Sequence, residues 1–169
     1  MKLFIRTIVL LCMLCSIINL SSCNAFSNPP SFEWIDKFVK DHIDDIESVT
    51  DYLMNSEFHE IYIEESFEES NISIFADLEY LAIEDQEVKN SLSSLFNSGC
   101  LLIAKVVPNN AIIFRVWFRD LFGGECGFVC AIDRSMQPSV DYQTCILPLN
   151  DSKWYYYTAD FEEWRITHH

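Results

Sequence analysis

Glycine and proline are scarce in this chain, at four and five positions among 169. That scarcity excludes collagen-like repeats and low-complexity linkers. Bases are scarce as well, 11 against 26 acids, for a formal net charge of −15. Such a surface repels phosphate backbones, and no basic stripe offsets it, so nucleic acid is excluded as a partner. Only four histidines are present, two of them, His168 and His169, at the extreme end. There is no G-x-S-x-G, no H-E-x-x-H, no P-loop and no G-x-G-x-x-G, so no catalytic or cofactor signature stands out. A Cys130–His59 pair can be assembled on paper. With this many cysteines and histidines some such pair always can be, so it carries no weight. The two carboxylates of a glycosidase are equally unidentifiable among 26 acids. No cofactor and no enzymatic activity is assigned on this reading.

Apolar residues are plentiful. Half the chain is hydrophobic and 14% is aromatic, which is core-forming composition rather than that of a disordered chain. The length suits one domain, able to bury about two thirds of its unfolded surface.

Long hydrophobic runs are absent, with one short exception near the start. Residues 1–6 hold Lys2 and Arg6 and no acid; residues 7–20, TIVLLCMLCSIINL, hold no charge. A positive start followed by a short apolar stretch is the pattern of a signal peptide. Its 14 uncharged residues fall short of the ~20 that a spanning helix needs, so a permanent anchor would be marginal. The run closes on Leu20-Ser21-Ser22-Cys23. A branched apolar residue, two small residues and a cysteine resemble the lipobox of bacterial lipoproteins, and the resemblance covers residues 1–23 alone. It implies cleavage before Cys23, a diacylglycerol on the Cys23 thiol, and a place in the bacterial cell envelope, outside the cytoplasm and anchored to membrane lipid. The alternative is ordinary cleavage after Ala25 and free secretion.

On the lipobox reading, residues 1–22 are a leader, 23–30 a lipidated tether and 31–169 a single domain. Removing Lys2 and Arg6 leaves nine bases against 26 acids, a net of −17. Dual or triple acylation anchors stably, whereas a single chain is marginal. The tether Asn24–Pro30 reaches about 20 Å at full extension.

Within the domain, Ser31 is a suitable N-cap with Glu33 in the first turn. Ile35, Val39, His42, Ile46, Val49 and Leu53 then alternate four and three apart, predicting one amphipathic helix of about six turns. His42 interrupts the stripe as a core-edge histidine. HEIYIE, 59–64, alternates as a strand. The acids that follow, Glu64, Glu65, Glu68 and Glu69, lack the Asp-x-Asp-x-Asp-Gly arrangement of a calcium loop, so they read as solvated, and no metal is assigned. ISIF suits a short strand; Leu78, Leu81 and Ala82, then Val88, Leu92, Leu95 and Phe96, suit a helix broken near Asp85 and capped by Gly99. From residue 100 onward the pattern is a series of strands: CLLIAKVV and AIIFRVWF around the turn PNN, then ECGFVCAI, QTCILPL and KWYYYTA. Residues 160–166 suit a closing helical turn. The expected class is α+β, with the N-terminal amphipathic helix and a further helical segment packed on a mostly antiparallel sheet of about five strands.

Four cysteines fall in the domain: Cys100, Cys126, Cys130 and Cys145. An even number in an exported domain permits disulfides. Cys126 and Cys130, four apart on one strand face, are about 13 Å from each other and cannot pair. Each can pair across strands with Cys100 or Cys145, or all can remain reduced as small hydrophobes. The short C-x2-C knuckles of a zinc site are missing. Trp154, Tyr155, Tyr156 and Tyr157 form the candidate contact surface. Trp154 and Tyr156 should face one way, Tyr155 and Tyr157 the other, with one pair in the core and the other available for contacts.

Three functional classes follow. The leading one is an envelope lipoprotein acting as a non-enzymatic binding module, with membrane lipid, through acylated Cys23, as its first partner. The second is an acidic inhibitor or immunity-type protein, its charge complementing a basic toxin or cell-wall hydrolase. The third is a secreted envelope enzyme, which needs His42 or His59 in a cleft with carboxylates.

Overall fold

A computed structural model describes residues 28–65, 72–77, 79–119, 123–150 and 153–167. The leader, Cys23, Ala25, Glu68, Glu69, His168 and His169 lie outside those residues. Helix α1 spans Phe32–Asp41 and α2 Ile43–Asn55. Strands β1 Glu60–Glu65, β2 Ile72–Ala76 and β3 Glu79–Leu81 follow, then α3, Gln86–Asn97. The remainder is β4 Leu102–Val106, β5 Ala111–Phe118, β6 Gly124–Ala131, β7 Gln143–Pro148, β8 Trp154–Asp160 and the short α4, Phe161–Thr167.

The eight strands form one antiparallel sheet in the order β3-β2-β1-β4-β5-β6-β8-β7. This corrects the expectation of about five strands. The series after residue 100 supplies β4 to β8, and β1 adds a sixth. ISIF supplies β2, as its pattern suggests, and the stretch read as helical around Leu81 supplies β3. There Leu81 pairs with Ile74 on β2: a partner strand decides what short-range periodicity leaves open. The chain crosses over twice. Strand β1 lies beside β4, with Ile63 opposite Ile103, and β6 lies beside β8, with Phe128 opposite Tyr156. Strand β7 is thereby displaced to the outer edge.

The predicted long helix is two. The Ser31 side chain accepts a bond from the Trp34 N–H and starts α1 as expected. The apolar stripe also holds, with Ile35, Phe38, Val39, Ile46, Val49 and Leu53 buried. At His42, however, the backbone leaves the helical region, with φ −121° and ψ 22°. Its N–H caps α1 on the Phe38 carbonyl, and its carbonyl accepts the first bond of α2, from Ile46. The imidazole packs on the Phe38 ring at 4.7 Å. Helix α3 begins at an Asp85 cap whose carboxylate accepts from the Glu87 and Val88 N–H groups. It ends at Gly99, φ 113°, with the Cys100 N–H reaching back to the Leu95 carbonyl. That 6→1 bond requires a left-handed residue, which glycine adopts without strain.

The three N-terminal helices cover one face of the sheet. Their buried residues pack with Ile61, Ile63, Ile103, Ile112, Phe114, Phe128 and Trp154 in one core. Phe114 and Phe128 stack at 4.7 Å, and Trp154 meets both edge-on. Lys105 also points to this side and is 4% exposed. Its Nζ donates to the Ser56 carbonyl at 2.7 Å, placing a cation at the C-terminal end of α2, where the helix dipole favours it. Pro30 is buried, and its carbonyl accepts from the Cys126 thiol and the Tyr156 hydroxyl. Pro30 therefore lies on the helix-covered side of the sheet.

One polar contact closes the β2–β3 corner. Asp77, φ 43°, accepts at its carboxylate from the N–H groups of Glu60, 2.9 Å, and His59, 3.3 Å. The Glu60 bond above all holds the Asp77 carboxyl below its ordinary value. A carboxyl with a depressed folded value contributes stability that is complete above the unfolded value of about 3.9. That contribution is lost as the pH falls through the folded value. Asp77→Asn should therefore lower the urea midpoint at pH 7 and flatten the fall in stability between neutral pH and about pH 3; an unchanged acid limb would contradict this assignment.

Candidate functional site

Among the described residues the other face of the sheet has no helical layer of its own. Small and apolar residues form a second, smaller core there: Ala104, Ala111, Ile113, Val129, Val140, Tyr157 and Ala159. Between them and the rim lies a groove of about 500 Å³, within the size range of ligand pockets. Its floor is Leu102, Ala104, Ile113 and Tyr157, and its rim includes Tyr62, Asp141, Tyr142 and Asp160. Helix α4 borders one end. Tyr142, φ 55°, meets Phe161 and Trp164 edge-on at 4.9 and 5.5 Å, and its carbonyl accepts from the Asp160 N–H.

The groove's polar centre is made by β5, β6 and β8. Arg115 lies opposite Leu102 on one side and Gly127 on the other, and Gly127 lies opposite Tyr157. The β5–β6 register shifts between Arg115 and Trp117, as at a β-bulge. Gly127 permits the approach: a Cβ there would sit 2.0 Å from the Phe114 carbonyl oxygen. In that geometry Arg115 Nη1 donates to Glu125 Oε2 at 2.9 Å, and the Tyr157 hydroxyl donates to Glu125 Oε1 at 3.3 Å. Arg115 also lies 4.7 Å over the Phe118 ring. Among the described residues its Nε is buried without a partner. Burial, then the neighbouring Glu125 charge, pushes the Tyr157 phenol well above its ordinary value, so it stays a neutral donor.

The rim is acidic. Asp141 accepts from Asn109 Nδ2 at 3.0 Å, and Asp160 accepts from the Glu163 N–H at 2.9 Å. Among the described residues neither carboxylate has a cationic partner. Asp141 is felt at Tyr62, whose phenol is raised by burial and by the charges of Glu60 and Asp141.

The anticipated contact surface is only partly available. Trp154 and Tyr156 pack toward the helices and Tyr155 and Tyr157 toward the open face, as alternation requires. But Trp154 and Tyr157 are buried and the other two half-buried, so neither pair projects freely. Of the four, Tyr157 alone lines the groove. Neither His42 nor His59 lines it. Glu64 and Glu65 are exposed at the end of β1. Among the described residues no group of three or more metal-ligating side chains gathers.

All four cysteines of the domain are unpaired thiols, and only Cys145 is partly exposed. Cys126 and Cys145 flank Thr158 from opposite sides, two strand spacings or ~10 Å apart, beyond disulfide reach. Burial pushes the Cys100 and Cys130 thiols up to about 12 and the Cys126 thiol to about 11.

No protein-family model matches this chain, no curated protein matches its sequence, and no solved structure matches it. The site therefore rests on its own geometry. Arg115, Glu125 and Gly127 were not singled out from the sequence. The available signal was Arg115 inside the otherwise apolar β5, and Gly127 with Glu125 inside β6, which marks a close backbone approach and a buried charge needing a partner.

Two outcomes follow. Glu125→Gln removes the counter-charge of Arg115 and should cost about 1–3 kcal/mol in urea unfolding. Arg115→Met combined with Glu125→Leu should recover part of that loss; equal losses in both would contradict the pairing. Native alkylation at pH 7.5 with peptide mapping should label Cys145 well before Cys100, Cys126 or Cys130. Early labelling of Cys130 would contradict its burial.

Proposed function

We propose that this protein is a non-enzymatic binding module of the bacterial cell envelope, tethered to membrane lipid through Cys23, with the open sheet face as its working surface. The observation that carries the binding role is the groove: among the described residues, an eight-stranded sheet is buried under helices on one face, with an apolar hollow and a paired arginine on the other. A hollow of this composition accepts an apolar group and orients it through a few polar contacts. The tether rests on the lipobox-like Leu20-Ser21-Ser22-Cys23. The position of Pro30 supports the same arrangement, because Pro30 is held against Cys126 and Tyr156 on the face opposite the groove.

Mass spectrometry of the mature N-terminus tests the tether: a Cys23 start carrying acyl mass is expected, and an unmodified Phe26 start would overturn it. Fluorescence of an apolar dye tests the groove. Leu102→Trp, which fills the half-buried floor position, should reduce dye binding several-fold, while Ile166→Ser, which removes an exposed apolar side chain of α4, should not. The opposite pattern would show that the dye reports the surface rather than the groove.

A further inference from the structure

The chemistry of the groove selects among apolar occupants. Its titratable lining comprises Arg115, Glu125, Asp141, Asp160 and three phenols, Tyr62, Tyr142 and Tyr157. Arg115 and Glu125 neutralise one another at 2.9 Å. Burial raises the phenols of Tyr62 and Tyr157, which stay uncharged at neutral pH. What remains is two carboxylates, Asp141 and Asp160, on a rim that also carries the half-exposed ring of Tyr142 and the partly exposed ring of Tyr62. An anionic occupant would meet like charge on this rim. A cation with an apolar stem would place its stem on Leu102, Ala104 and Ile113 and its head between carboxylates and ring faces. The groove already holds one guanidinium in this manner, since Arg115 lies 4.7 Å over Phe118 while bonded to Glu125.

We infer that the groove receives a lysine or arginine side chain from a basic protein partner. This rests on the reading of the groove as the working surface and names the chemistry of what enters it. The charge of the whole chain fits the same partner: at a net −15 the approach of a basic protein is accelerated and that of an acidic one slowed. A lysine or arginine on a partner's surface offers the long apolar stem and the charged end together, which the floor and rim accept in one insertion.

The test is fluorescence anisotropy at 150 mM salt with three labelled hexapeptides, alternating leucine with arginine, serine or glutamate. The arginine peptide is expected to bind best. Asp141→Asn combined with Asp160→Asn should weaken it about fivefold, as removal of one exposed and one half-buried rim charge beside the bound cation implies. Asp44→Asn combined with Asp45→Asn removes the same charge from helix α2 and should weaken it less than twofold. Circular dichroism establishes that both variants fold. Equal weakening by the two double variants would reduce the effect to net charge and overturn the inference. Stronger binding of the serine or glutamate peptide, lost in Leu102→Trp, would overturn the cationic occupant while leaving the groove as a binding site. Failure of all three peptides, with apolar dye binding also insensitive to Leu102→Trp, would overturn both.

Discussion

The close approach of strands β5 and β6 at Gly127 is the constraint on which the open face depends. No side chain fits there, because the Phe114 carbonyl oxygen occupies the space where a Cβ would stand. That contact brings the bulge between Arg115 and Trp117 against β6. The bulge in turn lets Arg115 meet Glu125, and the β6–β8 register brings Tyr157 onto the same carboxylate. A charge half-buried on an apolar sheet is costly alone. Here it has a counter-ion, a phenol donor to that counter-ion and an aromatic ring beneath it. The polar centre of the groove is thus built from strand pairing alone, without a loop to position it.

The two faces of the sheet divide the work. The helix side is a continuous apolar core, held at its margins by single polar contacts such as Lys105 to Ser56. The open side has smaller residues, Ala104, Ala111 and Ala159, against Ile113 and Val129. Small side chains on a sheet face leave a hollow where larger ones would fill it, and helix α4 with the Tyr142 corner borders that hollow without covering it. Reduced, buried cysteines fit the helix side as ordinary core residues; their high thiol values make them poor nucleophiles at neutral pH.

Much of the local structure was legible in the sequence and much of its assembly was not. The stripe from Ile35 to Leu53, the caps at Ser31 and Gly99 and the strands around residues 107–110 are short-range features, set by periodicity and by what each backbone conformation tolerates. The break at His42 was hidden because the apolar spacing continues through it. Strand β3 was hidden because Leu78, Leu81 and Ala82 fit a helical stripe, and only pairing with β2 decides otherwise. The groove was the least legible part. Arg115 and Glu125 are ten residues apart in sequence and meet only through a bulge, and the aromatic run from Trp154 to Tyr157 pointed to a surface that is largely buried.

The central claim is that this domain meets its partner through the uncovered face of the sheet. Photo-crosslinking in intact membranes tests it most directly, with a benzoylphenylalanine placed in turn at Tyr142 on the groove rim and at Asp44 on the helix-covered side. The account predicts a discrete protein adduct from position 142 and none from position 44. An adduct from position 44 with none from position 142 would contradict it.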